Sequence, residues 1–160
     1  MFIKPDFNIN SIYDIDLKKL KEIGIEAILF DLDSTIMVSK SGNYADRTKQ
    51  WLENVKKDFK IAIVTNNNRK DYLKKVKEIS DFPVYGNAKK PNTTVLENAI
   101  KGFCVPKEQV AVVGDRPLTD ILVGKKANVK CTILVDSINA ENEGVPTRFV
   151  RFLERLFIKK

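Results

Sequence analysis

Residues 30–35 read FDLDST (Phe30-Asp31-Leu32-Asp33-Ser34-Thr35) and directly follow the apolar run Ile25-Glu26-Ala27-Ile28-Leu29. The run has the length and composition of a short buried strand. Side chains alternate along a strand, so two aspartates two positions apart at its end point to the same side. Like charges placed together at the mouth of a core repel each other unless a cation or a shared proton relieves them.

Working outward, short apolar runs alternate with helical patterns. Residues 1–14 read as extended, with aromatics at Phe2, Phe7 and Tyr13. Residues 16–23 have apolar spacing of a helix, with Gly24 as its C-cap. After the strand at 25–30 and a loop at 36–44, a helix is expected over 46–59, with Trp51, Leu52 and Val55 inward. A strand at 61–64 leads to a helix at 69–79, with Tyr72, Leu73 and Val76 inward. A third strand, 83–85, precedes a helix opened by Pro91 and running to about Gly102. Strands at 110–113 and 131–135 flank a helix at 119–127, and a last helix covers about 147–158. Strands this short between helices of about ten residues signify βαβ crossovers. The expected fold is α/β: a three-layer, Rossmann-like, parallel five-stranded sheet. No linker or repeat divides the chain, so 1–160 reads as one domain with its core at about 25–135.

Composition narrows the chemistry. There is no histidine, which excludes Ser-His-Asp and Cys-His catalysis and most zinc enzymes. Cys104 and Cys131 lack CxxC spacing and read as buried thiols in a reducing compartment. The net charge of +7 favours anionic partners. The N-terminus MFIKPDFNIN lacks the apolar core of a secretory signal, and no apolar run reaches membrane-spanning length. A cytoplasmic protein is expected.

In an open α/β sheet, ligands bind at the carboxyl ends of the strands. Here those ends carry Asp31 and Asp33, then Thr65 and Asn66, then Lys89-Lys90-Pro91, then Asp115 with Asp120 five residues on. Any one of these is an ordinary turn residue; four strands delivering such residues to one edge is a pattern. Converging carboxylates with no His or Cys suit Mg²⁺, and a lysine beside them makes a phosphate site.

The pattern resembles the haloacid dehalogenase (HAD) superfamily of aspartate-nucleophile phosphatases over roughly residues 25–135. DLDST is similar to its D-x-D-x-T motif, VTN to the strand ending in Ser or Thr, Lys90-Pro91 to the lysine motif, and GDRPLTD to G-D-x4-D. The resemblance implies roles. Asp31 is the nucleophile forming an aspartyl-phosphate, Asp33 the general acid and base, and Lys90 the cation that keeps Asp31 ionised. Thr65 and the N–H groups near Asn66, with Lys90, hold phosphate. Mg²⁺ lies on Asp31, Asp33 through its carbonyl, and Asp115, with Asp120 orienting metal or lysine. Thr35 supports the turn, and Lys89 competes with Lys90 for the lysine role.

Family members often carry a cap domain between the first and second motifs or between the second and third. Residues 36–60 and 67–88 hold only what the core needs, so no cap domain fits. An open site suits a large substrate, a lipid headgroup at a membrane, or a lid supplied by a partner subunit. The whole chain resembles the capless YqeG-like group, related to phosphatidylglycerophosphate phosphatases, through SIYDIDLKKLKEIGIEAILFDLDST, VTNNN, AKKPN, VVGDRPLTDI and PTR. One departure is Ser34, where Asn is expected; it faces away from the chemistry in the simplest arrangement.

In TRFVRFLERLFIKK, Phe149, Val150, Phe152, Leu153, Leu156 and Phe157 form one helical face, and Arg148, Arg151, Arg155 and Lys159 gather opposite. Two readings stand. Such a helix lies on an anionic bilayer, joined by Phe2, Lys4 and Phe7; or it packs its apolar face on the sheet. The function expected is Mg²⁺-dependent phosphomonoester hydrolysis, with phosphatidylglycerophosphate as substrate. The alternatives are nucleic-acid ends or small phosphoesters, or a non-catalytic ribosome- or GTPase-associated module. No interleaving of basic and aromatic residues marks a strand-binding groove, which counts against nucleic acid.

Overall fold

The computed structural model describes residues 2–159. In chain order its elements are β1 (Phe7–Ile9), α1 (Leu17–Glu22), β2 (Ala27–Phe30), α2 (Asp46–Lys56), β3 (Lys60–Val64), α3 (Lys70–Ile79) and β4 (Val84–Tyr85). Then come α4 (Thr94–Phe103), β5 (Val110–Gly114), α5 (Leu122–Lys126), β6 (Cys131–Val135) and α6 (Val145–Arg155). The six strands form one parallel sheet in the order β1-β6-β5-β2-β3-β4.

The expected sheet had five strands. The sixth is β1, from the segment read only as extended; it pairs with β6, Phe7 opposite Ile133. Two further boundaries differ. Pro91 does not open α4, which begins at Thr94, whose N–H is taken by the Asn92 side chain. The helix expected from Thr119 instead starts with a wide π-type turn at Pro117–Ile121 that runs into α5.

Strand side chains alternate between two cores, as period two requires. Ile28, Phe30, Ile61, Ile63, Ala111 and Val113 meet Leu20, Leu52, Val55 and Val76 of α1–α3. Ala27, Leu29, Ala62, Val64 and Val112 meet Leu96, Ile100, Phe103 and Val123 of α4 and α5. With helices on both faces, the central strands are apolar throughout; β2, β5 and β6 are buried at every position. Gly24 closes α1 with a φ of +90°, the left-handed conformation that glycine adopts without steric cost.

From β2 the chain moves to β3 and β4 on one side, then returns across β2 to β5 and β6 on the other. The carboxyl ends of β2 and β5 therefore flank the crevice at which the winding reverses. Asp31 follows β2 and Asp115 follows β5. Between Thr35 and β3 lie a loop and α2 alone, and between β3 and β4 lies α3.

Of the two cysteines expected to be buried, one is. Cys131 is buried in β6, and burial, then Asp6, pushes its thiol up to about 12. Cys104 is exposed, at the left-handed C-cap of α4.

α6 is the larger correction. It packs on the body through its charged face. Glu154, 5% exposed, is its buried residue, whereas Phe149 and Phe152 are 58% and 59% exposed. Val150, Leu153, Leu156 and Phe157 also face outward. The reason is electrostatic. Strand ends and loops on this side present Asp115, Arg116, Asp136 and Glu143, and the helix answers with Arg151, Glu154 and Arg155. Ile3 bridges Ile158, and Phe2 before it is exposed. Phe7, in contrast, packs against the core.

Candidate active site

Four loops bring the sequence-predicted residues together. The Lys90 side chain is buried, and its ammonium donates to Asp31 Oδ1 at 2.7 Å, to Asp120 Oδ1 at 2.6 Å and to the Val64 carbonyl at 2.9 Å. All three ammonium protons are thereby used. Asn66 clamps the lysine's own backbone, accepting from Lys90 N at 2.6 Å and donating to Lys90 O at 3.2 Å. Its side chain is thus committed to the lysine loop. Lys89, the competitor, is exposed with a φ of +52°.

Thr35 joins two carboxylates: its hydroxyl lies 2.8 Å from Asp115 Oδ1 and 3.3 Å from Asp31 Oδ2. The second oxygen of Asp120 accepts from the Arg116 N–H at 3.0 Å across the π-type turn. Gly114 makes room for this, because a Cβ there would collide with the Asp120 carboxylate. Carboxylate oxygens of Asp31, Asp115 and Asp120 lie within 4.8 Å of one another. The donor set is all oxygen, with neither nitrogen nor sulfur, and so fits a hard divalent cation such as Mg²⁺.

Asp33 stands apart from that cluster. Its carboxylate accepts from the Tyr72 hydroxyl at 2.6 Å, the Lys40 N–H at 3.1 Å and Asn67 Nδ2 at 3.2 Å. Asp31, Asp33, Thr65, Asn66 and Lys90 nevertheless line one cavity of about 190 Å³. The Thr65 hydroxyl oxygen accepts from the Asn67 N–H at 3.1 Å, which leaves its proton free to donate. Ser34 is buried with a φ of +70°, a conformation Asn also tolerates. Its carbonyl accepts from Ile138 N at 2.8 Å.

Burial, reinforced by the charge of Asp120, pushes the Asp31 carboxyl up to about 8, against the pull of Lys90. Burial and then Asp120 also raise Asp115, although Arg151 and Thr35 act the other way. Burial works against the Lys90 ammonium, but Asp120 and Asp31 outweigh it and hold the lysine charged. Without a cation, the site therefore keeps a proton on Asp31 at neutral pH.

Sequence reasoning missed three partners. Tyr72 reads as a core residue, yet its hydroxyl reaches Asp33. Asn67 reads as loop, yet it holds the other oxygen of the same carboxylate. Arg151 reads as part of a basic helix face, yet its guanidinium pairs with Asp115 and, at 2.7 Å, with Glu143. The one available signal was the surplus of acids at the strand ends, which needs basic partners.

Residues 40–134, more than half of the chain, match the family described as haloacid dehalogenase-like hydrolase. The chain belongs to that family. The match begins after FDLDST, so Asp31 and Asp33 lie outside the matched residues. Over 155 residues the chain is 36% identical to "Probable phosphatase YqeG" of Bacillus subtilis (strain 168), covering 96% of this chain and 88% of that one. It is 28% identical over 169 residues to "Phosphatidylglycerophosphate phosphatase 1, chloroplastic/mitochondrial" of Arabidopsis thaliana. That alignment covers 99% of this chain and 48% of the plant protein, so the chain spans about half the length of that relative. In fold it is similar to an uncharacterized protein from Listeria monocytogenes serotype 4b, with a TM-score of 0.56 and 17% identity. That similarity covers 79% of this chain and 97% of the Listeria chain. The HAD chain is thus an enzyme of the phosphatase type, acting on a phosphorylated substrate. Among its described residues, no helix is long and apolar enough to cross a membrane.

Proposed function

We propose that this HAD-family phosphatase is a Mg²⁺-dependent phosphomonoesterase that hydrolyses phosphatidylglycerophosphate at an anionic membrane surface, through an aspartyl-phosphate on Asp31. As one domain, it would present its site uncovered to the bilayer. The observation that carries this reading is that Asp33 and Asp115 share a cavity with Val150 and Arg151 of α6, a helix that turns its apolar face outward. The plant relative's name supports the choice of lipid.

Asp31 attacks phosphorus through one carboxylate oxygen, and the bond to the leaving oxygen breaks. Asp33, in its protonated form, gives that oxygen a proton, so an alcohol departs. The resulting Asp33 carboxylate then takes a proton from water, whose oxygen attacks the same phosphorus. The acyl phosphate bond breaks, phosphate leaves and Asp31 returns as a carboxylate. Tyr72 and Asn67 fix the Asp33 carboxyl throughout. Lys90 holds Asp31 beside the incoming anion, and Asp120 fixes Lys90. Thr65 and the N–H groups near Asn66 receive phosphate oxygens. Asp31, Asp115 and the Asp33 carbonyl would hold Mg²⁺, which supplies positive charge against the carboxylates and the phosphoryl group.

The occupant of the apolar face of α6 is an anionic lipid bilayer. Charge complementarity favours it: the chain carries +7, and Lys4, Arg148 and Lys159 are exposed. The single acid of α6, Glu154, is buried against Arg116. Burying aromatic side chains beside basic ones is how interfacial helices bind such surfaces.

The test is phosphate release from vesicles containing phosphatidylglycerophosphate, with p-nitrophenyl phosphate in solution as comparison and Asp31→Asn as control. Wild type with Mg²⁺ should release phosphate from the lipid, and chelator or Asp31→Asn should stop it. Turnover of the soluble ester with none of the lipid would overturn the substrate.

A further inference from the structure

The guanidinium of Arg151 reaches into the carboxylate cluster from outside the family-matched core. Asp115 is 1% exposed, and each of its oxygens has a partner: Thr35 on one and Arg151 on the other. The oxygens of Asp31 and Asp120 have partners as well, from Lys90, Thr35 and the Arg116 N–H. Among the described residues, no buried side-chain polar atom lacks a partner. An entering cation therefore competes for these oxygens with a positive group already bound to them.

Two positive groups are candidates. Lys90 is enclosed, with each proton bonded and its backbone clamped by Asn66. Arg151 enters from the rim, on a helix that contributes no large apolar side chain to the cores and is held there by ion pairs. Electrostatics favours the same choice, because a divalent cation on Asp115 repels the guanidinium already in contact with that carboxylate. Arg151 also has somewhere to go. Its Nε is held by Glu143 at 2.7 Å, and it lines a cavity of about 520 Å³ shared with Asp33 and Arg116.

We propose that Arg151 is a resident counter-charge for Asp115 that exchanges with the divalent cation. Metal binding then turns its guanidinium outward, on its Glu143 tether, toward the larger cavity. The proposal rests on the reading of Asp31 and Asp115 as cation ligands, and its test needs no substrate.

Free Mn²⁺ is counted by electron paramagnetic resonance during titration of the full chain, wild type against Arg151→Gln and Arg151→Lys. Exchange predicts that Arg151→Gln binds Mn²⁺ about tenfold more tightly, with Arg151→Lys in between. Wild type binding none while Arg151→Gln binds is the same result in stronger form. A purely structural role for Arg151 predicts the opposite sign, since a disordered site binds metal more weakly. Unchanged or weaker binding in Arg151→Gln overturns the exchange while leaving the metal site standing. Should that variant fail to fold, Arg151→Lys at or below wild-type affinity overturns it equally. No binding by wild type and variants overturns the metal reading itself, and the exchange with it.

Discussion

Asp31 and Lys90 set the electrostatics of the cavity, and each makes a distinct prediction. The unfolded chain releases the Asp31 proton near 3.8, and the folded, metal-free chain keeps it to about 8. Folding thus retains a proton across that window, so Asp31 lowers stability as pH rises from 3.8 to about 8. Thermal melts in chelator at about pH 5 and about pH 8 should show the higher melting temperature at the lower pH. Saturating Mg²⁺ should flatten the difference, because the cation favours the ionised carboxylate. Lys90→Met leaves Asp31 and Asp120 buried without their cation and should cost about 3–5 kcal/mol in denaturant unfolding. Tyr72→Phe removes one donor from Asp33. It should lower kcat on p-nitrophenyl phosphate by about 10–100-fold, with little change in KM, the worth of one hydrogen bond to a charged group. The motif aspartates, Thr65 and Lys90 were legible because strand ends deliver them at fixed spacing. Tyr72 was not, since helical periodicity reports which face turns inward and not what a hydroxyl reaches once there.

At the scale of elements, the central strands and α2–α4 could be read from apolar runs and spacing. The exceptions have physical causes. β1 has three residues and exists by pairing with β6, a long-range contact that no local pattern announces. The π-type turn before α5 is shaped by the need to bring Asp120 back to Lys90 and the Arg116 N–H. α6 inverts the usual rule that the apolar face goes inward, because its arginines are claimed by Asp115, Glu143 and Asp136. Its apolar face is thereby left exposed, and the proposed function assigns lipid to it. A Phe149→Ser, Phe152→Ser double variant should no longer float with phosphatidylglycerol vesicles while still hydrolysing p-nitrophenyl phosphate. Undiminished flotation would remove α6 from the membrane account.

At the scale of the whole molecule, one feature of the winding explains why the charges meet. The sheet reverses direction between β2 and β5, so the crossovers leaving those strands diverge and the side chains that follow them meet in the crevice between. FDLDST and GDRPLTD sit at those two ends, so the carboxylates of Asp31 and Asp115 share Thr35, and Lys90 joins Asp31 to Asp120. That the strands are parallel and joined by crossovers is legible from their alternation with helices, whereas their order is a property of the fold, and the sixth strand extends the sheet at its edge without moving the crevice. The central claim is that Asp31 becomes phosphorylated and Asp33 clears it. Asp33→Asn should therefore trap the intermediate when the leaving group departs without needing a proton. With radiolabelled p-nitrophenyl phosphate and Mg²⁺, quenched Asp33→Asn should carry label on the peptide containing Asp31, released by hydroxylamine. Label on another peptide, or full turnover by Asp33→Asn with none trapped, would contradict it.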